Sequence, residues 1–348
     1  MMRICTTLAA LGYDVLLTGR LKKASIPLPA QPYRQVRLFT FFEKGKLFYV
    51  EYNIRLFLHL LFLPADLYCA IDLDSILPVL WASRLRRKIR VYDAHELFCE
   101  MKEIVTRPVI YKAWKFIERI SVPHFPSGYT VTEPIAAEFM DMYSVRYPVI
   151  RNVPFLLPID PALPKENYLI YQGAVNEGRS FETLIPAMQW INMPLLICGD
   201  GNFMEQAKKL VGELRLTDKV IFRGLVPPTE LLLLTRRAKI GLTLFENNGR
   251  SNYLSLANRF FDYFHAGTPQ VCVNYPAYRE INNNRQVAVV VTDLGPENIA
   301  ETVNNLLDDN ALYDRLRMNC LLLREEINWE KEKHLLARFY HKIFYPVE

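Results

Sequence analysis

The run SLANRFFDYFHAGTPQV, residues 255–271, places a guanidinium, a carboxylate and an imidazole on one helix-length segment. Asn258, Asp262 and His265 fall at i, i+4 and i+7 and share a stripe, while Leu256, Phe260, Phe261 and Phe264 form another. An ionised carboxylate on a helix that is otherwise apolar can accept hydrogen bonds from a ligand's hydroxyl groups. The plainer reading is a solvent-facing Arg259–Asp262 pair at i, i+3, worth about 0.2–0.5 kcal/mol. An Asn-rich loop enters this helix, and an Ala266-Gly267-Thr268-Pro269 turn leads from it straight into a strand. Both flanks favour the ligand-facing reading.

Glycine turns follow the neighbouring strands. YLIYQG ends at Gly173 and continues through AVNEGRSFE, which contains Arg179. PLLICGDG ends at Gly199, Asp200 and Gly201, and KVIFRG runs into Leu225, Val226 and two prolines. Glycine at a strand-to-helix turn lets backbone approach a ligand. A helix N-terminus beyond it favours an anion by about 0.3–1 kcal/mol. Several such turns at one sheet edge point to a phosphate-bearing ligand.

The first half carries a second group of polar strand ends: Asp72 in AIDLDSILP, and Asp93, His95 and Glu96 in VYDAHELFCE. Asp93 and Glu96 could each cap the next helix instead. The DLD at 72–74 has D-x-D spacing but reads as a strand-end loop, so no metal site is expected. No Ser-His-Asp or Cys-His arrangement is suggested by position.

The elements that must hold these residues alternate. Strands are predicted at 13–18, 35–40, 66–71, 89–93, 128–132 and 147–150, with helices at about 47–62, 75–86, 108–121 and 133–143. RNVPFLLPIDPALPKENY has four prolines in eighteen residues and reads as a linker. The alternation restarts with strands near 167–172, 193–198, 220–223, 239–244, 270–273 and 287–291. A helical segment over 311–346 closes the chain. Such alternation implies right-handed βαβ units and parallel sheets. The expected organisation is an α/β chain with domains at 1–152 and 167–325, a linker at 153–166, and a C-terminal helix at 326–348 that packs back on the first domain. Helix-like RICTTLAALG stands where a Rossmann-like domain normally opens with a strand. Either the true start lies upstream, or the first domain has lost an element.

At 348 residues, two domains are the prior. The six cysteines are scattered without a C-x-x-C pair, which suits reduced thiols and a cytoplasmic setting. No signal peptide is visible, and the most hydrophobic window, residues 54–82, is interrupted by Pro64, Asp66, Asp72 and Asp74. Residues 1–150 hold 20 lysines and arginines against 14 acids; residues 151–348 hold 22 against 23. The basic clusters at 20–23 and 84–90, beside the amphipathic FYVEYNIRLFLHLLF, fit either a solvated face or peripheral contact with an anionic membrane. Nucleic acid is not expected, because no binding motif accompanies the charge.

SLANRFFDYFHAGTPQV resembles the donor-site helix of the retaining glycosyltransferases of family 4 (glycosyl transferases group 1). In those GT-B enzymes two Rossmann-like domains face each other across a cleft, and an acid ahead of AG-x-P binds the ribose of a nucleotide sugar. Asp262 stands where the second Glu of their E-x7-E motif falls, and the first falls on Leu254. A subgroup with PNK-FDY-AG-P shows the same departure, with Ala257 and Arg259 here in place of its Pro and Lys. YQGAVNEGRSFETLIPAM resembles the family's diphosphate loop, with Arg179 at the site often held by Lys and Ala174 where a second basic residue is common. ICGDGN and RGLVPPTELLLL resemble its base-binding loops, and AIDLDSILP and VYDAHELFCE its acceptor-side strand ends.

The resemblance implies transfer of a sugar from a nucleotide diphosphate donor to an acceptor hydroxyl, with retention and with no cofactor or metal. Arg179 and His95 are the implied catalytic residues. Gly173, Gly199, Asp200, Gly201, Leu225, Val226, Asn258, Arg259 and Asp262 are the implied donor contacts, and Asp72, Asp93 and Glu96 the acceptor side. The expected acceptor is a saccharide or lipid-linked chain of a surface polysaccharide or glycolipid, met at the inner face of the membrane. Two rivals remain: a non-catalytic nucleotide-binding scaffold, and a sugar-nucleotide epimerase on the same fold.

Overall fold

The computed structural model describes residues 1–23, 25 and 27–345. It divides into two compact units, Met1–Arg151 with the segment from Lys331 onward, and Asn152–Glu330.

The first unit opens with the helix Met2–Ala10. Its strands are β1 (Leu16–Leu21), β2 (Arg34–Phe39), β3 (Leu67–Ile71), β4 (Ile89–Ala94) and β5 (Gly128–Thr130). Strand–helix alternation predicts one parallel sheet here, and the structure has two: β1 with β2, and β3-β4-β5, both parallel. A doubly wound sheet places its first strand between those two pieces. The strand expected at 147–150 is reduced to a single parallel bridge between Thr130 and Val149. Pro148 has no N–H to offer a ladder, so pairing stops there. The helices Gly45–Phe62, Ile76–Arg86, Pro108–Ser121 and Glu133–Tyr143 lie where the apolar period predicts them.

The single closing helix expected over 311–346 is two helices, Asn310–Glu326 and Trp329–Phe344. Asn328 breaks the run and donates its side-chain amide back to the carbonyls of Arg324 and Glu325. Residues 346–348 lie outside the described residues. From Lys331 onward the last helix packs on the first unit. Phe339 and Tyr340 meet Tyr129 edge-on at 5.2 and 6.4 Å, and Phe344 stacks on Tyr13 at 5.4 Å.

The second unit holds β6 (Glu166–Gln172), β7 (Leu195–Cys198), β8 (Val220–Gly224), β9 (Ala238–Thr243), β10 (Gln270–Val273) and β11 (Ala288–Val291). They form one parallel sheet in the order β8-β7-β6-β9-β10-β11. In this unit's own count that is 3-2-1-4-5-6, the dinucleotide-binding order, whose direction reverses between β6 and β9. Leu169, Tyr171, Ile197, Ile240, Leu242 and Val271 point into its main core with Phe181, Leu184 and Val303. A parallel sheet covered on both faces needs such continuous apolar strands.

One glycine lets these parts close. A Cβ at Gly241 in β9 would sit 2.5 Å from the ring of Tyr263, so that ring lies directly on the strand. The Tyr263 hydroxyl accepts from the backbone N–H of Gln172 and donates to the carbonyl of Ile170, which fixes the helix Asn258–His265 against β6.

Candidate functional site

The carboxyl ends of β6 and β9 lie side by side where the sheet order reverses, the place where open α/β sheets bind ligands. Gln172, the last residue of β6, organises it. Its carbonyl accepts from Nη1 of Arg259 at 2.9 Å, its Nε2 donates to Oδ2 of Asp262 at 2.9 Å, and its Oε1 accepts from Thr235 Oγ1 at 2.6 Å. Asp262 is half-buried, so a ligand can still reach it.

Arg259 is 6 % exposed and does not form the solvent-facing pair of the plainer reading. Its guanidinium lies over Tyr171 at 4.2 Å and over Phe245 at 4.6 Å, and Arg179 lies over the same Phe245 ring at 4.5 Å. Two guanidiniums sharing one phenyl ring concentrate positive charge beside the β6 and β9 ends. The ring quadrupole offsets part of their mutual repulsion.

The loop after β6 is anchored on both sides. The Glu246 backbone N–H donates to the carbonyl of Gly178, tying the Arg179 loop to the segment after β9. At Gly199, where β7 ends, a Cβ would sit 1.8 Å from the carbonyl oxygen of Gly173, with φ at +156°. Only glycine allows the β6 and β7 turns to meet there. Gly201 follows with its N–H donating to the carboxylate of Asp200, whose carbonyl accepts from Val175. Leu225, 81 % exposed, and Val226, packed on the cluster around Ile170, lead away from β8.

Asn258 is exposed, and its Oδ1 accepts from Asn152 at 3.2 Å. His265, from the same sequence stripe, turns inward instead: its Nε2 lies 2.8 Å from the carbonyl of Ile327. Helical spacing put these residues on one stripe, yet only Asp262 joins the Gln172 network. Leu254, where the family's first acid would stand, is buried at 8 % exposure.

The first unit gathers its own group at the ends of β3 and β4. Asp93 is fully buried, accepts from the hydroxyl of Tyr129 at 2.9 Å, and lies 3.1 Å from Nε2 of His95. Asp72 Oδ1 accepts from the backbone N–H of His95 at 2.9 Å, with Asp72 in the left-handed region at φ +53°. Burial pushes the Asp72 carboxyl up to about 7, against the opposing pull of His95. Burial also works against the His95 cation, yet the hydrogen bond and charge of Asp93 raise its pKa overall. Glu96 is half-buried beside them and adds to the upward push on Asp72. Neither Asp93 nor Glu96 caps the next turn, Phe98–Glu100, whose first position is taken by Leu97 without a side-chain cap.

Residue types alone did not mark Gln172, Phe245, Tyr171 or Tyr129 as part of these groups. A polar residue closing a buried strand just before a glycine was the available signal for Gln172.

Residues 158–320 match the family model of glycosyl transferases group 1. The match covers just under half of the chain and lies within the second unit. The chain's fold is GT-B, shared with solved structures at low identity. Sucrose-phosphate synthase from Thermosynechococcus elongatus is 18 % identical with a TM-score of 0.79, covering 98 % of this chain and 92 % of that one. WaaG, a glycosyltransferase involved in lipopolysaccharide biosynthesis, is 16 % identical with a TM-score of 0.70, covering 99 % and 95 %. HepE of Anabaena, solved with UDP and glucose, is 13 % identical with a TM-score of 0.70, covering 97 % and 95 %. No curated protein matches the sequence at a significant level. In the matched segment, Arg179, Arg259 and Asp262 lie at the sheet's point of reversal. Among the described residues, no helix is long and apolar enough to cross a membrane.

Proposed function

We propose that this glycosyltransferase moves a sugar from a nucleoside diphosphate sugar to an acceptor hydroxyl, with retention and without a metal, in the synthesis of a surface polysaccharide or glycolipid at the cytoplasmic face of a membrane. The observation that carries the reading is the pair of guanidiniums, Arg179 and Arg259, on one phenyl ring where β6 and β9 end.

Breaking the bond from the anomeric carbon to the β-phosphate oxygen leaves the electron pair, and a growing negative charge, on the diphosphate. A pre-placed guanidinium stabilises that charge, because it need not reorganise as the bond breaks. Arg179 is assigned that role. Arg259 lies against Gly173, one residue from Ala174, and supplies the second cation that Ala174 does not. Asp262 receives the ribose hydroxyls, with its carboxylate held by Gln172. Gly173, Gly199, Asp200, Gly201, Leu225 and Val226 line the way to the base, and Asn258 flanks the sugar. In the first unit His95, oriented by Asp93, is assigned the second catalytic role, with Asp72, Asp93 and Glu96 assigned to the acceptor.

The UDP and glucose held by the Anabaena structure make UDP-sugars the first donors to test. Calorimetry with UDP, GDP and ADP, followed by donor turnover with cell extract as acceptor, tests the reading. Arg179→Ala is expected to weaken the preferred diphosphate by about 1.5–3 kcal/mol, as loss of a charged hydrogen bond does. Unchanged affinity would remove Arg179 from the site. Binding without turnover would favour a non-catalytic scaffold, the reading that the buried Leu254 supports.

A further inference from the structure

Tyr129 stands on β5, the shortest strand of the first unit, yet it is bound into the polar group there. β4 and β5 run parallel, with Asp93 paired to Tyr129 in the ladder. The Tyr129 hydroxyl donates to Oδ2 of Asp93 at 2.9 Å, and Oδ1 of the same carboxylate lies 3.1 Å from Nε2 of His95. Asp93 Oδ1 and His95 Nε2 are both buried, and neither has another partner among the described residues. The Tyr129 ring is buried too, held edge-on by Phe339 and Tyr340 of the last helix at 5.2 and 6.4 Å.

The types of these atoms decide where the proton sits. A carboxylate oxygen only accepts, and an imidazole nitrogen without its proton only accepts as well. Two acceptors 3.1 Å apart and buried would repel, with no water to separate them. The hydrogen between them stays on Nε2, because imidazole is the stronger base. Asp93 then has one donor on each oxygen, as a fully buried carboxylate requires. Without Tyr129 on Oδ2, the carboxylate is free to turn and the ring of His95 loses its bearing. The main chain of His95 is held separately, its N–H donating to Asp72 Oδ1 at 2.9 Å. The His95 side chain is 25 % exposed, and Nδ1 is the nitrogen that Asp93 does not take.

We propose that Tyr129 is a positioning residue: through Asp93 it fixes the proton of neutral His95 on Nε2 and leaves Nδ1 to meet the sugar. The part that concerns the sugar rests on the transfer reaction proposed above; the Tyr129–Asp93–His95 arrangement does not. A bare Nδ1 accepts from a sugar hydroxyl, whereas the opposite tautomer puts a donor in that place.

The full chain, with its histidine rings isotopically labelled, is followed by nitrogen NMR, and the His95 signals are those lost in His95→Gln. Above the midpoint of the His95 titration, the wild type is expected to show a protonated Nε2 and a bare Nδ1. Asp93→Asn keeps the shape but offers one oxygen and one amide N–H₂ group. Tyr129 donates to that oxygen, so the N–H₂ faces Nε2 and the ring proton is expected on Nδ1 instead. Adding Tyr129→Phe to Asp93→Asn frees the amide to turn over, and a protonated Nε2 is expected to reappear. A merely structural tyrosine would lower the melting temperature and leave these protons where they were. Tyr129→Phe alone is expected to lower kcat by about tenfold through a misplaced ring. Its affinity for the preferred nucleoside diphosphate, assigned to residues of the second unit, should not change. Wild-type His95 protonated on Nδ1, or Asp93→Asn with the proton still on Nε2, overturns the proposal. Wild type and Tyr129→Phe carry the test by themselves if Asp93→Asn does not fold. The expected proton positions without sugar transfer by the wild type keep the arrangement and remove the transfer reaction. Transfer with kcat unchanged in Tyr129→Phe keeps the reaction and removes the positioning role.

Discussion

The side-chain amide of Gln172 donates to Asp262 at 2.9 Å while the carbonyl of the same residue accepts from Arg259 at 2.9 Å. One strand-end residue thus sets both a carboxylate and a guanidinium of the helix Asn258–His265. Neighbouring side chains preorganise charge best when a rigid element carries their partner, and β6 is buried in the sheet.

Asp262→Asn keeps the shape and removes the charge. If the carboxylate accepts ribose hydroxyls, the variant binds the preferred ribonucleoside diphosphate about tenfold more weakly, as charged hydrogen bonds are worth about 1.5–3 kcal/mol. Its affinity for the 2′,3′-dideoxy analogue changes little, and its melting temperature stays close to wild type. Calorimetry with both nucleotides decides this. An equal loss for the two would remove the ribose contact.

Gly199→Ala tests the meeting of the β6 and β7 turns. The added carbon would fall 1.8 Å from the Gly173 oxygen, so backbone must move. A loss of about 2 kcal/mol or more is expected, typical of overpacking at a backbone contact. Denaturant unfolding measures it. An unaltered midpoint would show that the two turns do not touch as described.

Asp72→Asn tests the buried polar group of the first unit. Asp72 has a folded pKa above its unfolded one, so the folded state holds an extra proton between the ordinary carboxylate range and about 7. Its stabilising contribution is complete below that range and is lost as pH rises through about 7. His95, also raised, loses its contribution in the same direction. The variant should therefore show a smaller fall in melting temperature between pH 5 and pH 8 than wild type. Parallel curves would mean that Asp72 does not titrate in this window.

Much of the architecture was legible because it is local. The helix Pro108–Ser121 follows from its apolar period, and the β6 and β10 bounds from short runs closed by glycine or proline. The strand predicted at 147–150 does not form, because strand propensity is blind to which N–H groups can pair, and Pro148 has none. The unbroken closing helix failed at Asn328, whose side chain competes for the helix carbonyls.

By itself the sequence determined the two blocks of alternating strands and helices, the glycine turns, and which residues carry charge. It could not decide which of those charges meet. Helical spacing grouped Asn258, Asp262 and His265, but spacing ranks neighbours on one helix and is blind to what packs against it. Tertiary packing turned His265 toward Ile327 and joined Asp262 to Gln172, 90 positions away in the chain. It also brought Arg179 and Arg259 onto Phe245. Those contacts form only when β6 and β9 become neighbours although β7, β8 and their helices intervene in the chain, a pairing set by the sheet's winding order and by no short stretch of residues.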